Sequence, residues 1–198
     1  MRIILALFIA LAVTTPAAAE ACVEKFRRIL VDRNETGPVK VTVTQQVKGA
    51  PATRNINYQA VPGHWMTEMI EPANGQWTLV HDDVMFTSTD KGATWKKLRA
   101  LDSANNADQS RRNMEEAAAT VKDAACGTEA IDGVAHDTVE ASYEIPAYKT
   151  AHRDKYWIEP ASGWIARSIS MMKMSGFEST VTQVIERAPG LELPTPSR

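Results

Sequence analysis

Cysteine and surplus positive charge are both scarce in this sequence. Two of its 198 residues are cysteine, and 22 lysines and arginines face 24 aspartates and glutamates, which gives a net charge of −2. Because lysine and arginine form no stripe above this background, the composition excludes a nucleic-acid-binding surface. It also excludes docking onto an anionic membrane by charge alone.

The sequence also lacks the motifs of common catalytic and metal sites. It contains no G-x-S-x-G segment, and none of its histidines is four residues from another or beside a cysteine. These histidines are His64, His81, His136 and His152. The adjacent carboxylates Glu115 and Glu116 fall on the solvated side of a predicted helix. We therefore predict no catalytic residue, no metal ligand and no cofactor, and a protein that is not an enzyme.

Long apolar runs are absent except at the start of the chain. Residues 3–13 are apolar, follow Arg2 and precede the small residues Ala17-Ala18-Ala19. A membrane-spanning helix needs about 20 apolar residues, so this pattern predicts a cleaved signal peptide over residues 1–19. We expect export to the periplasm and a mature chain without a membrane span. A retained anchor is the alternative.

The two cysteines, Cys22 and Cys126, are expected to form a disulfide, because a lone pair in an exported protein most simply pairs. It would tie the N-terminal segment to the end of a later helix. Lipidation of Cys22 is the alternative, although Glu20 puts a charge where a lipidation motif has a small or apolar residue.

Hydrophobic periodicity predicts a mainly β domain of the α+β class over residues 20–188, followed by a flexible tail over 189–198. Spacings of three and four predict helices over 22–33 and 103–125. Alternation predicts antiparallel strands joined by short turns. The predicted strands are 39–48, 55–60, 64–70, 76–81, 84–88, 94–98, 139–145, 155–159, 164–173 and 177–187.

Large flexible side chains are concentrated on these strands. All five tryptophans fall on them, as do five of the eight methionines, and Met174 directly follows the strand 164–173. Such side chains line adaptable cavities and also fill ordinary cores, and both interpretations stay open. Strand 164–173 has Trp164, Ala166 and Met172 on one face and Ile165, Ile169 and Met171 on the other, which indicates a sheet covered on both faces.

Two segments resemble a known family. The first is TLVHDDVMFTSTDKGATWKKL (78–98), which is similar to a segment of that family in which a hairpin is followed by a charged-Gly turn and a Trp. The second is KYWIEPASGWIARSISM (155–171), which is similar to the family's Tyr-Trp-Ile-acid-Pro-x-x-Gly turn. Together with the order of elements, they resemble the bacterial lipoprotein-carrier superfamily, that is, LolA/LolB carriers with LppX- and RseB-type relatives. The resemblance implies a curved antiparallel half-barrel of about ten strands, covered by two helices that the Cys22–Cys126 bridge would join.

The resemblance further implies a periplasmic, non-catalytic protein, expected to be a monomer, that holds a lipid, an acyl chain or a lipidated protein in an apolar cavity. We expect Arg54 at the cavity mouth. The residues expected to line the cavity are Trp65, Met69, Trp77, Met85, Tyr143, Trp164 and Met172. The alternative is a ligand-free interaction or sensory module on the same fold that contacts an envelope protein through its surface.

Overall fold

The computed structural model describes residues 16–32 and 37–196. Its helices are α1 (Pro16–Asp32) and α2 (Ser103–Ala119), with one 3-10 turn at Pro146–Tyr148. The strands are β1 (Val39–Val47), β2 (Thr53–Val61), β3 (His64–Glu71), β4 (Trp77–His81), β5 (Val84–Ser88), β6 (Lys96–Ala100), β7 (Lys122–Ile131), β8 (Val134–Ile145), β9 (Thr150–Ile158), β10 (Ile165–Met174) and β11 (Phe177–Arg187). No helix in these ranges is long and apolar enough to cross a membrane.

All eleven strands belong to one antiparallel sheet with the order β6-β5-β4-β3-β2-β1-β11-β10-β9-β8-β7. Two meanders, β1–β6 and β7–β11, meet where β1 pairs with β11. Strands β6 and β7 are the two edges, and α2 is the element that connects them. The predicted fold class, a curved antiparallel half-barrel covered by two helices, is confirmed, with eleven strands where about ten were expected.

Helix α1 starts six residues before the predicted first helix, which was expected to begin at Cys22. The predicted apolar face is present, because Phe26 and Leu30 are fully buried and Val23 and Ile29 pack beside them. The apolar run of the predicted signal peptide and the predicted end of the first helix, at residue 33, lie outside the described residues. The cleavage site, the domain limits and the flexibility of the tail stay predictions.

The prediction of a helix over 103–125 is wrong in its second part. Helix α2 ends at Ala119, and residues 122–131 form the edge strand β7. The Thr120 hydroxyl donates to the Glu144 carbonyl and accepts from the Glu144 N–H, which holds the chain beside β8. Asp123 then takes a φ of +54°, which no helix allows. The helix was predicted to be too long because Ala118, Val121 and Ala125 continue its spacing of three and four residues beyond Ala119.

Several strand boundaries also differ. Strands β8 and β9 begin at Val134 and Thr150, each five residues before its predicted start. Trp95 and Trp164 precede their strands instead of lying on them. For Trp95 the cause is local, since Asp90 accepts hydrogen bonds from the Thr94 N–H and hydroxyl and so holds residues 90–94 in a loop.

The hydrophobic core lies at one end of the sheet. Helix α1 packs against β7 and β8, α2 packs against β8, and the two helices contact each other. The buried cluster joins these helices to β8, β9 and the start of β10, and comprises Phe26, Leu30, Ala117, Val121, Val139, Ala141, Tyr143, Ile145, Tyr156, Ile158 and Ile165. The inner face of β1, β2, β3 and β11 extends beyond this cluster, and that is where the candidate site lies.

Candidate functional site

A cleft of about 580 Å³ lies on the inner face of the sheet, beside the core. Its floor combines apolar and uncharged polar side chains from β1, β2, β3, β9, β10 and β11. The apolar and aromatic members are Val39, Val41, Trp65, Tyr156, Ile165 and Ile185, and the polar members include Asn57, Gln59, Thr67, Ser168 and Gln183. Among the described residues no charged side chain lines the cleft.

Strand register brings these residues together. Val41 lies opposite Asn57 on β2 and opposite Ile185 on β11, and Asn57 in turn lies opposite Thr67 on β3. Directly opposed residues share one face of a sheet, so the four side chains form one row across the cleft. The valines of β1 that alternation places on a single face are therefore the centre of the floor.

A β-bulge completes the floor on β10. The register shifts between Ile165 and Arg167, and both Ile165 and Ser168 line the cleft although their spacing is odd. An extra residue in one strand turns the following side chains to the other face. The predicted assignment of this strand's side chains to two faces is therefore wrong. Ile165 lies on the same face as Ser168 and Met172, and Ile169 and Met171 lie on the other.

Two side-chain amides in the cleft are oriented by neighbouring hydroxyls. Thr67 Oγ1 donates to Asn57 Oδ1 at 2.7 Å, and Ser168 Oγ donates to Gln183 Oε1 at 3.1 Å. Each bond occupies the amide oxygen, and within the described residues neither NH₂ group has a partner. The cleft therefore offers amide donors to a ligand that carries carbonyl, ester or hydroxyl oxygens.

The wall of the cleft on the β9 side continues into the core. Tyr156 lines the cleft, and its hydroxyl donates to Asp154 Oδ2 at 2.9 Å. The same oxygen accepts from the Tyr143 hydroxyl at 2.9 Å. The Phe26 ring of α1 lies 5.9 Å from that of Tyr143 and 5.6 Å from that of Tyr156. Helix α1 thus packs against the side of this wall that faces away from the cleft.

The residues predicted to line a cavity are distributed along the sheet. Trp65 lines the cleft. By register, Met69, Met85, Tyr143 and Met172 are on the same inner face, outside the cleft lining. Trp77 alternates onto the outer face with Leu79. Trp164 is buried just before β10, where its Nε1 donates to the Ile185 carbonyl at 3.2 Å. Their assignment to a ligand cavity stays a prediction.

Arg54, the predicted mouth residue, lies opposite Thr44 and alternates with the inward-facing Asn55. Its guanidinium is 3.7 Å from the Glu71 carboxylate. This arrangement places Arg54 on the outer face of β2, and its role at a cavity mouth also stays a prediction.

The cysteines do form a disulfide, Cys22–Cys126. Because Cys126 lies on β7, the bridge joins α1 to the edge strand of the sheet, and the expected bridge between the two covering helices is wrong. The error follows from the overlong second helix.

Two histidines that are far apart in the sequence meet in the fold. The rings of His64 and His81 lie 4.5 Å apart, and His64 Nε2 is 3.1 Å from the Pro194 carbonyl. Within the described ranges, no group of three histidine, cysteine or acidic side chains is arranged to hold a metal ion.

The amide side chains of the cleft were missed by the sequence reasoning. Asn57 and Gln183 sit on alternating strands where a polar residue normally marks the solvated face, so nothing in the sequence distinguishes them. The bulge that admits Ser168 has no sequence signal such as a glycine.

No family model and no curated protein matches the chain. The fold is similar to that of a LolA superfamily protein from Nitrosomonas europaea, with 14% identity, a TM-score of 0.36 and coverage of 89% of this chain and 94% of that one. It is also similar to a DUF1329 family protein from Desulfovibrio piger ATCC 29098, with 14% identity, a TM-score of 0.36 and coverage of 88% and 95%. The first of these two proteins belongs to the superfamily that the two sequence segments resemble.

Proposed function

We propose that this protein is a periplasmic, non-catalytic binding protein that holds a lipid or acyl chain in the inner-face cleft. The observation that carries the proposal is the cleft itself: about 580 Å³ next to the core, with apolar side chains over much of its floor. Pockets for small ligands have volumes of about 300–1,000 Å³ and are mostly apolar with a few placed polar groups.

The chemistry of the lining favours an acyl compound over a charged metabolite. Burying a charge without a partner is costly, and the lining of this cleft offers no charged group. Burial of a chain against Val41, Ile185 and Trp65 would supply about 25 cal/mol per Å² of apolar surface removed from water. The amide donors of Asn57 and Gln183 suit the carbonyl oxygens of an ester or an amide.

Export is supported by the disulfide and by the N-terminal pattern. Disulfides persist in oxidising compartments such as the bacterial periplasm, and the Cys22–Cys126 bridge is formed in the fold. The apolar run before a small-x-small segment is typical of a signal peptide.

The first experiment is native mass spectrometry of the protein purified from periplasm without detergent, followed by lipid extraction. We expect a stoichiometric lipid or acyl species. A bare mature chain that also fails to take up the fluorescent fatty acid cis-parinaric acid would contradict the proposal.

A matched pair of valine substitutions tests the location of the ligand. Val41→Arg places a charge on the cleft floor and should abolish cis-parinaric acid binding, whereas Val184→Arg places it on the outer face, where Val184 is 45% exposed. Thermal melting of both variants checks that they fold. Equal binding by the two variants would locate the ligand elsewhere.

One observation favours the alternative of an interaction module. Met171 and Val184 are exposed on the outer face of β10 and β11, with Ile169 on the same face. A partner protein could dock on this patch. Loss of a co-purifying envelope protein in Met171→Lys, with no lipid in the wild type, would support that function instead.

A further inference from the structure

A second cavity, of about 430 Å³, adjoins the inner-face cleft. Ile165 lines both, and along β9 the lining passes from Tyr156 in the cleft to Ile158 in the second cavity, two residues further on. Residues two apart in a strand share a face. The two cavities therefore follow one another along the inner face.

One stripe of α1 forms the opposite wall of this second cavity. Lys25, Arg28, Ile29 and Asp32 line it, at the spacings of three and four that put residues on one side of a helix. The β9–β10 turn closes the cavity with Glu159, Pro160 and Gly163. Unlike the cleft, this cavity is lined by charged side chains.

Each carboxylate that lines the second cavity already has a cationic partner. Asp137 is 3.1 Å from Lys25 Nζ, Asp32 is 3.5 Å from Arg111, and Glu159 accepts two hydrogen bonds from Arg187, at 3.2 and 3.0 Å. The bonds from Arg187 hold the pKa of Glu159 below its usual range, so this carboxylate stays ionised and paired.

Arg28 is the exception. Within the described residues its guanidinium makes no ion pair and no hydrogen bond, although it lines the cavity. Arg111 also pairs with Glu115 at 3.2 Å, so four cations and four carboxylates surround the cavity. Among the described residues that line it, Arg28 is the cation without a partner. A guanidinium binds carboxylate and phosphate groups through paired hydrogen bonds.

We propose that Arg28 binds the anionic headgroup of an amphiphile whose acyl chain lies in the adjoining cleft. This inference rests on the proposed function, since the cleft must hold a chain for the headgroup to reach the second cavity. It selects the class of ligand: a single-chain acidic amphiphile, with a fatty acid as the simplest member. The uncharged cleft takes the chain, and the charge of the ligand remains outside it beside α1.

The test compares cis-parinaric acid with its methyl ester, which has the same chain and no charge. At low ionic strength the wild type should bind the acid more tightly than the ester. Arg28→Gln should weaken binding of the acid by about fivefold, as for an exposed ion pair, and leave the ester unchanged. Arg28→Lys, which keeps the charge, should restore most of the affinity.

Arg112→Gln is the matched control, because Arg112 is an exposed arginine of α2 whose guanidinium bonds to Gln109 and lines neither cavity. Equal weakening by Arg112→Gln, or equal affinities for acid and ester in wild type and Arg28→Gln, would overturn the headgroup site while leaving the binding function intact. Displacement of the probe by acetate would also overturn it, as it would show a site for free anions. If the wild type binds neither probe, the proposed function fails as well.

Discussion

The Tyr156 hydroxyl donates a hydrogen bond of 2.9 Å to Asp154 Oδ2, and Asp154 is only 3% exposed. Tyr156 lines the cleft on one side and lies against Phe26 of α1 on the other. This one side chain therefore links the candidate ligand site, a buried carboxylate and the covering helix. Changes in the packing of α1 should therefore alter the position of Tyr156 and with it the shape of the cleft.

Removal of this hydroxyl should destabilise the fold. In Tyr156→Phe the buried Asp154 loses one of its two tyrosine donors, and the free energy of unfolding should fall by about 1–3 kcal/mol. Tyr143→Phe is the matched variant, since Tyr143 donates to the same oxygen but does not line the cleft. Urea denaturation should show similar losses for both, whereas cis-parinaric acid affinity should change only for Tyr156→Phe. Unaltered stability in both variants would contradict this role for Asp154.

The disulfide should stabilise the protein through the long loop that it closes. Cys22 and Cys126 are 104 residues apart, and removing a native disulfide from a small secreted domain typically costs about 2–5 kcal/mol. The double variant Cys22→Ser/Cys126→Ser should therefore unfold at lower urea concentration. Ala21→Ser, a neighbouring change at an exposed position of α1, should not. An unchanged midpoint would mean that the packing of Phe26 and Leu30 alone holds α1.

The same double variant tests whether α1 moves during ligand exchange. The bridge fixes α1 to β7, so a cleft that opens by displacement of α1 should release cis-parinaric acid faster without it. Stopped-flow displacement measures this rate. A lower stability with an unchanged rate would make the bridge purely structural.

Alternation was sufficient to predict much of the sheet. Strand β11 has the bounds that its period-two pattern predicts, and β1 ends at Val47, one residue before its predicted end. Strand β5 has the bounds expected for a hairpin with a short turn after β4. Strand β7 was missed because it is an exposed edge strand rich in small residues, which have no clear alternation. Its alanines instead continued the spacing of α2.

The candidate site was far less predictable than the sheet. Trp65 was expected to line a cavity, but the amides Asn57 and Gln183 reach the cleft through strand pairings between residues far apart in sequence. Arg28 looked like an ordinary charge on the solvated side of an amphipathic helix. Arg28 becomes a candidate anion-binding residue only because the nearby carboxylates pair with other cations in the fold. The spacing of residues in the sequence does not show these pairings.

Tyr58 should make the stability of the protein sensitive to alkaline pH. Burial, followed by the hydrogen bond to Glu68 at 3.0 Å and the charge of that carboxylate, raises the pKa of Tyr58 from 10.0 to about 12. A raised pKa means that the fold favours the neutral phenol. Its contribution to stability is complete below pH 10 and is lost as the pH rises from 10 towards 12.

Ultraviolet titration of the tyrosines should show a step near pH 12 that is absent in Tyr58→Phe. The stability difference between wild type and Tyr58→Phe should shrink over the same range. Tyr148→Phe is the control, since Tyr148 is exposed and contacts α2 through Asn113. A step that survives in Tyr58→Phe would contradict the assignment.

Asp90 should make the stability of the protein sensitive to acid pH. Hydrogen bonds from the Thr94 hydroxyl at 2.5 Å, the Ser88 hydroxyl at 2.7 Å and the Thr94 N–H at 2.9 Å lower the pKa of Asp90 from 3.8 to about 2. The ionised carboxylate holds the loop in which Gly92, with a φ of +86°, lies against the Trp77 ring. Stability from this group is complete above pH 4 and is lost as the pH falls towards 2.

Asp90→Asn should therefore lower the melting temperature at pH 5 and have little effect at pH 2, where the wild-type carboxyl is itself protonated. Asp108→Asn makes the same charge change on the exposed side of α2 and should leave the melting temperature at pH 5 unchanged. Carboxyl carbon chemical shifts from NMR would follow the titration of Asp90 directly. A gap between wild type and Asp90→Asn that is as large at pH 2 as at pH 5 would show that the loop depends on the shape of the side chain and not on its charge.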